Sequence, residues 1–478
     1  MLYKDQDGDG LGDPNEPHYA NNSSFTIVCE ARGYVDNADD KCPLNAGFSA
    51  DSGCPVGGFA TEARNSVYEK SYLINKKVVG ESKVYYDDLG KLEQTLSLDI
   101  KTRKVWGSQV LYDAQSRPSV QTMSSPAYPS QTLIFKSDFI KKPDGSVYKG
   151  SDFDGVSREN SPMIGSQTNS LGWYYSNSNT SEVFQDQTNR PYSRTLYSTL
   201  NPGAVKQVVG GNKHDTNDDG NITEADGWKQ GYSFSMPAAQ EMYYVYGYTT
   251  FPNHPSIANT YTDISGTLSD SNKHVVWLKA GKSVVQDVKG NEAVVFTDAD
   301  GKTLGAARSG GSKQYEVLSL IGEQKYVDIH IPIGCQSVGF IGSISDFKVY
   351  DLKNEKLLST TPSVLPAGFY RVEYVGTKTL SKSHQLAYIN KSAKTIQPVM
   401  SDAVGIRYKV NYYYYSLNYY NEVGQLTSSL QPLGFVDSCL NELKPTVTHD
   451  DSLKSEFKYN ILGQLIWTKS PDEGEASF

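Results

Sequence analysis

The sequence predicts an all-β protein, and three observations carry that prediction. Tyrosine outnumbers the other aromatic residues, with 34 Tyr against 16 Phe and 5 Trp in 478 residues. Its ring covers a half-buried pleated surface while its hydroxyl reaches water, which suits strands. Turn formers are frequent, with 41 Gly and 21 Pro, as a chain of many short strands requires. Finally, a pattern Tyr-Asp/Asn-x-x-Gly/Ser recurs: Tyr86-Asp87-Asp88-Leu89-Gly90, Tyr112-Asp113-Ala114-Gln115-Ser116, Tyr420-Asn421-Glu422-Val423-Gly424 and Tyr459-Asn460-Ile461-Leu462-Gly463. Looser copies stand at Thr297-Asp298-Ala299-Asp300-Gly301 and Tyr350-Asp351-Leu352-Lys353-Asn354.

Each copy reads as a hairpin. The Tyr ends one strand, and the Asp or Asn starts a turn by bonding the backbone ahead of it. The Gly supplies a left-handed residue that reverses the chain. The next strand opens on an apolar residue two positions later, as at Leu92, Leu426 and Leu465. A single hairpin cannot bury its apolar face, so such units must stack on one another.

Composition narrows the function classes. Hydrophobic residues make up 38% and charged residues 21%, which supports an ordinary packed core. The formal net charge of −9 argues against nucleic acid as a partner, because neutralising phosphates takes a basic surface. No run of about 18 apolar residues suggests a membrane span. Met1-Leu2-Tyr3-Lys4-Asp5 is not the start of a basic-then-apolar leader, and the hairpin pattern continues almost to Phe478. The expectation is an internal segment of a longer polypeptide.

The first element is acidic. Residues 5–13 place Asp5, Asp7, Asp9 and Asp13 at alternate or near-alternate positions, with Gly8 and Gly10 between them. Calcium takes six to eight oxygen ligands in flexible geometry, and alternating carboxylates in one tight loop supply them, with the Leu11 carbonyl as a main-chain oxygen. Without a cation these carboxylates would repel one another. A second acidic stretch holds Asp36, Asn37, Asp39 and Asp40. Cys29, Cys42 and Cys54 fall in the same stretch, which has little apolar sequence. A segment that cannot build a core is commonly stapled by disulfides or metal, so these three are disulfide candidates. Zinc and free thiols are the alternatives, and the odd total of five cysteines leaves at least one without an internal partner. Cys335 and Cys439 read as buried small hydrophobes.

A second loop covers residues 215–226. Against a twelve-residue calcium loop it puts Asp215, Asn217 and Asp219 at the first, third and fifth positions, Gly220 at the sixth, Asn221 at the seventh and Asp226 at the twelfth, where Glu is usual. A surface hairpin turning at Asp219-Gly220 is the competing reading.

Two family resemblances follow from these residues. Tyr3-Lys4-Asp5-Gln6-Asp7-Gly8-Asp9-Gly10, Gly33-Tyr34-Val35-Asp36-Asn37, Asp40-Lys41-Cys42-Pro43 and Gly53-Cys54-Pro55 resemble thrombospondin type 3-like repeats of bacterial surface proteins. That resemblance implies a stiff extracellular spacer held by calcium and disulfides. The Tyr-Asp units, with Leu111 to Thr122 and Ser416 to Leu426 around them, resemble YD repeats, and the chain is similar to the N-terminal part of a Bacteroidota-type Rhs protein. In Rhs, teneurin and Tc-toxin C proteins such repeats coil into a hollow β-shell. The resemblance therefore implies a curved β-shell segment, secreted or at the cell surface. Its partners would be the remainder of its own chain, with a C-terminal toxin or effector, and secretion or surface-attachment machinery. The sequence departs from the full pattern in carrying neither a self-cleavage core nor a variable toxin domain.

The expected organisation is a calcium-binding segment over 1–57, first hairpins over 58–125, and a β-rich shell region over 126–310 that carries the 215–226 loop. A β-sandwich-like region over 311–399 and further hairpins over 400–478 complete it. Residues 160–182, rich in Ser and Asn, read as a loop, and Ala238 to Met242 as one short helical turn. No histidine falls in a metal or nucleophile motif, so no enzyme is expected. The alternative function is a calcium-dependent surface adhesin for glycan or protein, with Tyr412-Tyr413-Tyr414-Tyr415 as stacking platform rather than wall packing.

Overall fold

The computed structural model describes residues 2–4, 14–15, 17–18, 34–35, 64–74, 78–127, 132–156, 161–180, 182, 184–213, 228–238, 240–248, 273–276 and 280–478. The chain is all-β, and it divides into two compact units. One is Met1–Thr195 with Val209–Lys229, the other Leu196–Val208 with Gln230–Phe478.

In the first unit β1 (Leu2–Lys4) lies between β2 (Pro17–His18) and β3 (Tyr34–Val35), antiparallel to both. The main sheet is a meander of β4 (Asn65–Tyr72), β5 (Val78–Tyr86), β6 (Leu92–Leu98), β7 (Val105–Tyr112) and β8 (Pro118–Thr122). β9 (Ser125–Pro126) returns to β7, and the start of β10 (Tyr192–Tyr197) pairs with β8 from Tyr192↔Thr122 to Arg194↔Val120. One apolar cluster gathers Leu111, Val120, Phe139, Phe153, Tyr174 and Tyr192. The expected loop at 160–182 is corrected in part by a short helix, α1 (Leu171–Tyr174). Ser170 caps it, its side chain accepting from the Trp173 N–H, and burial of Leu171 and Tyr174 supplies the stabilisation that local propensity does not.

β11 (Val205–Lys213) and β12 (Trp228–Pro237) flank the 215–226 loop in the chain. The second unit continues with α2 (Glu241–Tyr246), β13 (Lys273–Val276), β14 (Gly281–Gln286), β15 (Glu292–Thr297) and β16 (Thr303–Arg308). Next come β17 (Tyr315–Leu320), β18 (Tyr326–Ile331), β19 (Ser337–Ile341), β20 (Phe347–Asp351), β21 (Lys356–Leu357) and β22 (Gly368–Tyr374). The last strands are β23 (Ala387–Asn390), β24 (Thr395–Pro398), β25 (Gly405–Val410), β26 (Tyr413–Tyr420), β27 (Leu426–Leu430), β28 (Lys454–Tyr459), β29 (Leu465–Ser470) and β30 (Gly474–Ser477).

One antiparallel sheet runs β12-β14-β15-β16-β26-β27-β28-β29-β30. β16 pairs directly with β26, from Gly305↔Leu417 to Arg308↔Tyr413. The chain from β17 to β25 is therefore an excursion that leaves and rejoins the sheet at one seam. It builds the sheets β17-β25-β19 and β18-β22-β20-β21, and β23 and β24 join β13 in a third. A single apolar cluster includes Tyr244 of α2, Val284 and Phe296 of the long sheet, and Val317, Ile329, Val372 and Tyr408 of the excursion. The period-2 pattern explains the strands: in β15 Glu292, Val294 and Phe296 are buried in alternation, each such apolar side chain contributing about 1.5–3 kcal/mol. The short turn expected near Ala238 to Met242 is α2, beginning at Glu241, with every side chain buried.

Candidate functional site

Six five-residue turns that open on Asp or Asn share one geometry among the described residues. They begin at Asp87, Asp113, Asp287, Asp298, Asn421 and Asn460. In each, the first residue's N–H donates to the carbonyl four positions on, at 2.9–3.0 Å, and the fourth residue's N–H donates back to the first carbonyl, at 2.8–3.2 Å. The first residue's Oδ1 also accepts from the N–H of the fifth residue, at 2.7–3.0 Å. In all but the Asn421 turn it accepts from the third as well, at 2.9–3.0 Å. This is a three-residue hairpin loop whose fourth residue must be left-handed. Gly90, Gly290, Gly301, Gly424 and Gly463 meet that need with φ between 75° and 85°, and Ser116 takes the position at φ 64°. In every turn but that at Asp287 the ladder slips by one residue beside the turn, which raises local twist.

Three tyrosines of the pattern join one turn to the next. The Tyr112 hydroxyl donates to the Leu92 carbonyl at 2.8 Å, Tyr420 to Thr303 at 2.8 Å and Tyr459 to Leu426 at 3.0 Å. Leu92, Thr303 and Leu426 each stand five residues past the first residue of a neighbouring turn, at Asp87, Asp298 and Asn421. Lys91 lies over the Tyr112 ring, 5.5 Å from its centre. Burial would raise the Asp113 carboxyl, but hydrogen bonds from Arg117 and Gln115 outweigh it and hold the group below its ordinary value.

A chain of buried polar groups crosses the second unit. Lys282 Nζ on β14 lies 2.6 Å from Glu241 Oε1 on α2, both side chains fully buried, and 3.1 Å from the Tyr412 hydroxyl. That hydroxyl is 3.1 Å from His330 Nδ1, and His330 Nε2 is 2.9 Å from Glu292 Oε2. Gln286 donates to the other Glu292 oxygen at 3.2 Å and accepts from Lys353. Burial keeps His330 below its ordinary value despite Glu292 beside it. Burial would raise Glu292, yet its bond to His330 holds it low. Because the Tyr412 hydroxyl accepts from Lys282, its own proton faces His330 Nδ1, so Nδ1 accepts and Nε2–H donates to Glu292. The chain ties α2 and the long sheet to β18 of the excursion.

Elsewhere in this unit Glu355 accepts from Ser198 Oγ at 2.7 Å, Thr199 N–H at 2.8 Å, Thr199 Oγ1 at 2.9 Å and Lys206 Nζ at 3.1 Å. Arg371 grips Asp328 through two bonds of 2.7 and 2.8 Å. A cleft of about 610 Å³ lies beside these groups, and the one carboxylate among its described lining residues is Asp328.

The predicted metal residues Asp5, Asp7, Asp9, Leu11, Asp13, Asp36, Asn37, Asp39, Asp40, Asp215, Asn217, Asp219, Asn221 and Asp226 lie outside the described residues, as do Cys29, Cys42 and Cys54. Cys335 and Cys439 are buried free thiols, as their sequence context suggests. Tyr412 and Tyr415 are completely buried core residues, while Tyr414 is exposed at φ 52°. Sequence reading missed the turn at Asp287, because Gln286 stands where the pattern has Tyr; the shorter signal Asp-x-x-Gly would have found it. It also missed the Lys282–Glu292 relay, whose members are far apart in the chain. The looser copy at Tyr350 forms a longer turn, in which Glu355 rather than a glycine is left-handed.

No family model matches the chain, and no curated protein matches it. Among solved structures, it is similar to the crystal structure of TcdB2-TccC3-TEV at 9% identity and a TM-score of 0.13, over 86% of this chain and 22% of that one. It is similar to that of TcdB2-TccC3 at 8% identity and a TM-score of 0.10, over 85% of this chain and 28% of that one. The chain thus spans less than a third of either structure, and superpositions this loose carry no inference about fold or role.

Proposed function

We propose that this chain is a structural, non-catalytic segment of a secreted Rhs/YD-repeat protein. Its stacked Tyr-rich hairpins form part of a β-shell wall that encapsulates or presents a C-terminal effector, and calcium stiffens its N-terminal segment. One observation supports the reading above the others. A single turn geometry recurs, and in three of its copies the Tyr hydroxyl reaches the first strand residue beyond a neighbouring turn. Such a unit carries its own rule for adding the next unit, which is how repeat architectures propagate a continuous wall.

Electron cryomicroscopy of the protein expressed from its whole reading frame tests the proposal. The expected result is a wall of hairpins around a lumen that contains or abuts a further domain. A solid, flat assembly with no lumen would rule the shell out.

A further inference from the structure

We infer that Lys282 and Glu241 condense into an intramolecular amide, a covalent cross-link between β14 and α2. The two groups touch at 2.6 Å with no exposure of either side chain. Held contact of this kind raises the effective concentration of the amine at the carboxyl far above that of free reactants. Glu241 Oε2 has no hydrogen-bond partner, so Oε1, held by Lys282, is the oxygen that can take up protons and leave, and Oε2 remains as the amide carbonyl. Tyr315, Tyr408, Tyr412 and Tyr415 are completely or almost completely buried in the same core cluster. Water is excluded there, and two buried ions gain less from their attraction than they lose in hydration unless every remaining site is bonded. An amide replaces them with a neutral group and expels one water.

The step balances as ammonium plus carboxylate giving amide plus water. Nζ passes one proton to a Glu241 oxygen across the contact, which leaves a neutral amine beside a neutral acid. The nitrogen lone pair adds to Cδ and the C–N bond forms. A second Nζ proton then moves to the same oxygen, Oε1, which lies 2.6 Å from Nζ. The C–O bond then breaks and water leaves, with no oxidant or co-reactant. Tyr412, whose hydroxyl accepts from Nζ at 3.1 Å, is a positioning residue that holds the amine. His330 and Glu292 position it, since an imidazole held by a carboxylate on one side accepts from the hydroxyl on the other (3.1 Å). The event happens once per molecule and needs no outside substrate.

Intact-mass measurement of the freshly purified full chain decides the matter without any variant. The expected mass is one water below that of the sequence, with tryptic digestion giving a branched peptide that joins Lys282 to Glu241. The full sequence mass would overturn the inference. Lys282→Arg keeps the cation and is expected at full mass; a water loss surviving in that variant places it elsewhere and also overturns the inference. Tyr412→Phe keeps the ring but frees the amine, and is expected to slow cross-linking in a time course about a hundredfold; an unchanged rate removes Tyr412 from the step. His330→Gln is expected to flatten the pH dependence of that rate, and an identical profile refutes its positioning role.

Discussion

The Tyr112 hydroxyl donates to the Leu92 carbonyl at 2.8 Å, so the residue that closes one hairpin is bonded to the residue that opens the strand beyond its neighbour's turn. The same relationship joins Tyr459 to Leu426 and Tyr420 to Thr303. A tyrosine at this position therefore contributes twice, through ring burial and through a bond that a phenylalanine cannot make.

Tyr112→Phe should cost about 1 kcal/mol locally, the usual net worth of one hydrogen bond. Amide hydrogen exchange over β6 and β7 is expected to quicken about fivefold. Exchange at the parent rate would show that the hydroxyl merely rests there.

Ser116 occupies the left-handed position that glycine holds in the five sister turns. Ser116→Gly should stabilise the hairpin by about 1 kcal/mol, and Gly90→Ala should weaken its own by a similar amount. No atom lies within 4 Å of where a Gly90 Cβ would sit, so that loss would come from the backbone alone. Thermal unfolding of both variants checks the pair, and shifts of the same sign would refute the assignment.

Much of this was legible in the sequence, because a hairpin turn is local. Tyr86 ending β5, Asp87 bonding ahead, Gly90 reversing the chain and Leu92 opening β6 all follow from residues within seven positions. The same reading located Tyr459 to Leu465. Contacts made across long separations were not legible. Glu241, Lys282, Glu292, His330 and Tyr412 meet only because the excursion folds back on the long sheet, and nothing in the local pattern of any one of them announces the others. Glu355 shows the same limit, since its partners Ser198, Thr199 and Lys206 precede it by about 150 residues.

Acid should loosen the second unit through Glu355. Burial would raise its carboxyl, but Ser198, Thr199 and Lys206 bond it strongly enough to hold it below the ordinary 4.5. A carboxyl depressed by folding stabilises the fold above its unfolded value, and that stabilisation is lost as pH falls through the folded value. Stability should therefore decline from about pH 4.5 downward, and less steeply in Glu355→Gln. Denaturation midpoints across pH 3 to 7 measure it; parallel curves for the two proteins would be inconsistent with this account.

Calcium should order residues 1–57. Calorimetric titration of the full chain is expected to show binding that is lost when Asp5, Asp7 and Asp9 are changed together to Asn. Chelator should expose this segment, but not the hairpins, to protease. Unchanged binding in the triple variant would move the ion elsewhere.

The direct pairing of β16 with β26 has a kinetic consequence. Arg308 and Tyr413 face each other across the seam, yet bringing them together from an open chain means closing a loop of about a hundred residues, and that entropy must be met before the ladder returns anything. The intervening strands must collapse first and carry the two ends into register. The long sheet is thus assembled late at this seam and early at its hairpins, and slow maturation of the protein should trace to this junction, where strands far apart in the chain lie side by side.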